Sequence, residues 1–189
     1  LWQPWGSLIM TGAKNNETRS RPTSIRGTIA IHAAKKVDVD AVKLLATEEF
    51  QNGLRPLLRA DMKAVIMEHL PRGAVIGTAD LVDCVKVLGV ITRRNPINGA
   101  PHLAAVLSNG REVCGKELAF GDYRTGRFVY VLRNAKPFKK PVPASGKQGF
   151  WNWTPPAPSE PEITEEEAAK AEIRIRMLQN VRPDLAFAA

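Results

Sequence analysis

Apolar and polar positions change period several times along the chain. Trp5, Leu8 and Ile9 recur at helical spacing behind Pro4, so Pro4 to Gly12 reads as a short helix that Gly12 ends. Glu17-Thr18-Arg19 reads as extended, and Gly27 to Ala33 as a strand after a turn at Arg26-Gly27. Asp38 is the N-cap of a second helix that closes near Gly53. A third helix is expected over Leu54–Leu70, where Leu54, Leu57, Leu58, Met62, Val65, Ile66 and His69 form one stripe and Pro71 stops it. Ala74 to Val87 is a long β run, and Thr92 to Pro101 reads as a loop. Asn109-Gly110 predicts a hairpin between Ala104–Leu107 and Glu112–Cys114. Phe128–Leu132 and Phe150–Trp153 read as further strands, and no internal repeat is evident. Short strands with helices at their edges predict an α+β domain over residues 1–153, its core a small barrel-like sheet. A Pro-rich linker over 154–163 then leads to an appended C-terminal helix over 164–182, opened by the capping box at Thr164 to Glu167.

Composition narrows the class. With 44% hydrophobic residues among 189, the chain can bury one good core, which excludes full disorder and leaves little room for two full domains. No apolar run approaches the ~20 residues of a membrane span, so no membrane partner is expected. Leu1 to Met10 lacks the pattern of a signal peptide, and the absence of an initiator Met leads us to expect a few residues ahead of Leu1. Cys84 and Cys114 with His32, His69 and His102 have no metal-ligand spacing; no metal or cofactor is expected, and a reducing cytoplasm fits this usage. The net charge of +8 is uneven: residues 154–189 carry 4 basic and 7 acidic side chains, which leaves Leu1–Trp153 at +11. A basic body favours polyanions, nucleic acid first.

The candidate chemistry lies near the start. Lys14 follows the helix end, and in an extended segment Glu17 and Arg19 share a face, with Arg21 and Arg26 close in sequence. A lysine point charge and an arginine fork suit phosphate or a polar base edge, and Glu17 would orient them or accept from a nucleobase amine. A structural ion pair between Glu17 and Lys14 or Arg19 is the other reading of the same residues. Trp5, Trp151 and Trp153 would stack bases or pack in the core. Tyr123 lies in a loop with two arginines, and Lys136, Lys139, Lys140 and Lys147 form a basic stretch that would extend a positive rim. His32 beside Lys35 and Lys36 would supply acid–base chemistry in a nuclease, or else simply pack.

These residues resemble the ASCH (activating signal cointegrator homology) domain, a branch of the PUA-like fold. The resemblance rests on Gln3-Pro4-Trp5, on Gly12, Lys14, Glu17 and Arg19, on Arg26-Gly27, and on Ile31-His32-Ala33. It continues at Leu70 to Gly77, at Leu81 to Cys84, at Phe120 to Phe128, and at Pro141 to Trp151. The resemblance implies a small PUA-like β-barrel with a cleft lined by Lys14, Glu17 and Arg19 that binds RNA or single-stranded nucleic acid. One relative deacetylates N4-acetylcytidine with a catalytic Thr where this chain has Glu17, and another has been suggested to cleave RNA. The expected function is therefore RNA binding by Trp5, Lys14, Glu17, Arg19, Arg26, Tyr123 and Lys147. The alternative is a hydrolase, a ribonuclease or N4-acetylcytidine amidohydrolase, in which Lys14 and Glu17 are catalytic. A third reading is a protein partner docked on the C-terminal helix through Ile173, Met177 and Leu178.

Overall fold

The N-terminal turn is fastened by a buried amide. Gln3 Nε2 donates to the Pro71 carbonyl (2.7 Å), and its Oε1 accepts from the Ser7 N–H (3.0 Å), one of the donors that the first turn of a helix leaves without a partner. Helix α1 (Trp5–Met10) thus starts against the 71 region, and Gly12, in the left-handed conformation (φ 77°), turns the chain out of it. The computed structural model describes residues 1–156; the expected helix over 164–182, its proposed partner surface and most of the linker lie outside the described residues. Among the described residues no helix is long and apolar enough to cross a membrane.

Strands β1 (Asn16–Arg19) and β2 (Gly27–Ala33) follow, close to their expected bounds. Asp38 caps α2 (Val39–Leu45) through the N–H groups of Asp40 and Ala41, at 2.9 and 3.0 Å. The helix expected to reach Gly53 is instead two: Thr47 is extended, and α3 (Glu48–Leu54) restarts behind it. The helix expected over Leu54–Leu70 does not form. Pro56 has no N–H to give a helix interior, and the chain makes a short 3-10 turn (Arg55–Leu57), then an irregular run to a second one (Met67–His69). Val65, Met67 and Leu70 are buried there while Ile66 faces solvent. Gln51 replaces the missing ladder, donating to the carbonyls of Leu45 (2.7 Å) and Val65 (2.8 Å) and accepting from the Val65 N–H (2.9 Å).

The remaining elements are β3 (Ala74–Arg94), β4 (Pro101–Leu107), β5 (Glu112–Cys114), α4 (Lys116–Ala119) and β6 (Phe128–Pro143). All pairings are antiparallel, in the order β1-β6-β3-β4-β5, with β2 also on β3. The β3–β6 register shifts three times and the β3–β4 register once, so β3 bends and serves first β2 and β6, then β4. Among the described residues the sheet is not closed, so in place of the expected small barrel the chain makes a mixed α/β fold on a six-stranded antiparallel sheet. β3 and β4 absorb only the ends of the expected 92–101 loop, Thr92–Arg94 and Pro101, and residues 95–100 make the turn between them. β6 runs far past Leu132, which puts Lys136, Lys139 and Lys140 on a strand, and residues 150–153 have no regular structure.

Three apolar clusters fill the interior: Leu8, Phe50, Leu54 and Phe120 under the helices; Val85, Leu107, Val129 and Tyr123 between β3, β4 and β6; Ile9, Ile31, Leu81 and Leu132 under α1. The Gln51 clamp gives a direct check on the non-helical segment. Gln51→Leu should lower the unfolding free energy by about 1–3 kcal/mol, because the Val65 N–H loses its acceptor; denaturant titration measures it.

Candidate functional site

Lys14 is the deepest charge described. Gly12 turns the backbone and the Lys14 N–H returns to the Leu8 carbonyl (3.0 Å), which sends the side chain inward. Only 1% of the residue is exposed. Its ammonium donates to the carbonyls of Asn16 (2.5 Å) and Phe120 (2.8 Å) and lies 3.4 Å from Glu17 Oε2. Two hydrogen bonds and one ion pair surround the ammonium, and the side chain has no exposed surface to offer a ligand.

Glu17 is fixed from two sides. Arg19 reaches its other oxygen at 3.0 Å, with the arginine side chain nearly half exposed. The β1 segment is braced from α4: the Glu117 carboxylate accepts from the N–H groups of Asn15 and Asn16 at 2.9–3.1 Å. Thr18 Oγ1 accepts from the Asp122 N–H (2.9 Å), and Gly121 lets the turn come this close, since a Cβ there would overlap Thr18 and the Tyr123 ring. Glu17 thereby borders a cleft of about 310 Å³ walled by Trp5, Thr18, Leu44 and the 119–122 turn. Trp5 is held edge-on to Phe50 (centroids 6.2 Å), and Phe50 to Phe120 (5.1 Å), so the indole is anchored from behind. A wider concavity of about 490 Å³ lies between Asn15, Arg111, Glu117 and Arg133, away from Trp5 and Glu17.

The other expected residues divide. Arg26 closes its own turn on the carbonyls of Thr23 and Ile25 and pairs with Asp83 at 3.5 Å. Lys147 is exposed on the 144–149 segment. No described hydrogen bond or ion pair joins either residue to Glu17. Tyr123 is 4% exposed inside the β3–β4–β6 cluster; burial pushes its phenol far above the ordinary value, and it has no open face to stack a base. The arginines of its loop are engaged too: Arg124 (2.7 Å) and Arg127 (3.3 Å) hold Asp122, and the Arg124 hydrogen bond lowers that carboxyl below the ordinary aspartate range. His32 contacts the Ala144 carbonyl through Nε2 (2.9 Å) and packs against Trp151, which makes it a clamp for the last segment.

The residues that organise this site, from Gln3 to Arg19, are those of the suspected motif. The family model for the ASCH domain matches residues 1–97, half of the chain. The chain belongs to the ASCH family. A comparison with curated proteins finds no match. The ASCH match contains Trp5, Lys14, Glu17 and Arg19, whereas the opposite wall of the cleft, 119–122, comes from beyond it. Sequence reasoning missed Glu117 and the Phe120 carbonyl, because α4 meets β1 only through the fold and a carbonyl has no residue signature.

Lys14 was expected to contact phosphate or to move a proton; the structure places it 1% exposed beneath Glu17, with its ammonium on two carbonyls. Lys14→Met should cost about 3–5 kcal/mol, since it leaves the buried Asn16 and Phe120 carbonyls without a donor and Glu17 with Arg19 alone. The same variant, kept folded by low temperature, should leave the salt slope of nucleic-acid binding unchanged.

Proposed function

We propose that this ASCH domain binds single-stranded RNA, with one unpaired base in the cleft between Trp5 and Glu17. The family is generally associated with RNA binding, and the body of the chain carries +11. The observation that carries the reading is the Glu17 carboxylate, held by Lys14 and Arg19 at the edge of a cleft walled by an anchored indole. A carboxylate accepts from an exocyclic amine, and an aromatic wall offers a base a stacking surface. Arg19, half exposed, is the cation beside the base for a phosphate. Arg26 and Lys147 add charge farther along the backbone path. Specificity comes from an acceptor in the cleft, and affinity from cations outside it.

The hydrolase alternative asks Lys14 and Glu17 to act as an acid–base pair. Lys14 lies beneath the carboxylate with its donors occupied, so the pair lacks a proton donor facing substrate. N4-acetylcytidine should survive incubation with the protein, as followed by chromatography.

Binding of labelled single-stranded RNA at several salt concentrations tests the reading. Affinity should fall steeply with salt, and Arg19→Ala should reduce the slope by about one unit. Glu17→Gln should weaken cytosine-containing RNA roughly ten-fold and narrow its advantage over uracil, as expected when one charged acceptor becomes an amide. RNA bound equally well by wild type, Glu17→Gln and Arg19→Ala would exclude the cleft.

A further inference from the structure

Glu17 has an aromatic neighbour that no sequence motif marked. Tyr130 on β6 is its cross-strand partner, so the two side chains share one face of the sheet, and Cys84 on β3 continues the row. The Tyr130 hydroxyl donates to the Arg21 carbonyl (2.9 Å), which fixes the ring. Burial raises its phenol above the ordinary value.

A second ring is laid on it from a distant part of the chain. Gly149, in the left-handed conformation (φ 77°), turns the segment after β6 so that Phe150 stacks on Tyr130, with centroids 6.0 Å apart and planes 16° apart. Phe150 is nevertheless 45% exposed. Hydrophobic packing alone would favour covering such a ring. Around the pair stand cations: Arg19 is half exposed, Arg21 is exposed with no carboxylate partner among the described residues, and Lys147 is exposed three residues before Phe150. Tyr130 is half-buried against the Ile9–Leu132 cluster and so backs an exposed ring rigidly, and an exposed ring beside cations is the chemical surface on which an unpaired base stacks while its phosphates are neutralised.

We propose that the Tyr130–Phe150 pair is a second stacking position, so that the ligand is a single-stranded oligonucleotide running from the Glu17 cleft past Arg19 onto Phe150. The inference rests on the reading of the cleft as a nucleic-acid site, and it excludes a free nucleoside as the complete ligand. A neutral protein surface does not need the arginines, and a duplex has no unpaired base for the ring.

The test compares single-stranded RNA of about ten nucleotides, a site size usual for such surfaces, with cytidine monophosphate. Both are titrated into wild type, Phe150→Ala, Phe150→Leu, Phe150→Trp and Glu17→Gln, with thermal unfolding as the folding control. Phe150→Ala and Phe150→Leu should each lose roughly five- to a hundred-fold in affinity for the RNA, as for one stacked base. Phe150→Trp should retain it, and monophosphate binding should not change. Loss with Ala but not with Leu would reduce Phe150 to apolar cover and overturn the proposal. Equal losses for RNA and monophosphate would overturn it as well, by placing Phe150 in the cleft's own architecture. Full RNA affinity in Phe150→Ala, with weakening in Glu17→Gln, would refute the platform and leave the cleft standing. Weakening in Phe150→Ala with Glu17→Gln unchanged would remove the cleft and overturn the path from it onto Phe150. A wild type that binds no RNA would refute both.

Discussion

The site depends on a lysine ammonium sealed inside the protein. Taking such a charge out of water costs several kcal/mol unless every proton finds an acceptor. Here the acceptors come from three places in sequence: the Asn16 carbonyl, the Phe120 carbonyl and the Glu17 carboxylate. Meeting that demand requires the end of α1, strand β1 and the turn after α4 to converge. Gly12 supplies the turn that points Lys14 inward, and Glu117 holds the β1 backbone from the other side. The residues that bury the lysine are therefore also the two walls of the cleft.

The arrangement assigns separate duties to charges that look equivalent along the chain. Lys14 holds Glu17 from within, and Arg19 pairs with it from the solvent side. Arg124 and Arg127 are spent on Asp122 and Arg26 on Asp83. A strongly basic body thus contains a cleft bordered by two carboxylates, Glu17 and Asp122. On the reading proposed above, charge of this kind draws a polyanion to the surface from a distance, and the acceptor in the cleft is what would discriminate among bases.

Much of this was legible in the residues. The helix ending at Gly12, the Asp38 cap, strands β1 and β2, and the Lys14, Glu17 and Arg19 group follow from local signals that tertiary contacts did not override. The stripe from Leu54 to His69 misled because apolar residues at helical spacing also fit a winding chain that buries Val65, Met67 and Leu70, and Pro56 carried the contrary signal. Lys14 was placed beside Glu17 as expected, but its burial could not be read locally, since the Phe120 carbonyl that receives it lies over a hundred residues away. Tyr123 was misjudged for the same reason. The arginine-rich loop around Tyr123 looks like a binding loop, yet its ring points into the core. Tyr130 sits in an apolar run that reads as core, yet it meets Glu17 across the strands.

The state of the Lys14 ammonium during binding tests the account most directly. Nitrogen-detected NMR of the lysine side chains, recorded before and after single-stranded RNA is added, reads it. The account predicts a Lys14 signal that exchanges slowly with water in both states, while the Glu17 carboxylate and Arg19 guanidinium resonances shift on binding. A Lys14 ammonium that exchanges as fast as the exposed Lys147, or whose signal moves toward a phosphate-bound state when RNA is added, would contradict it.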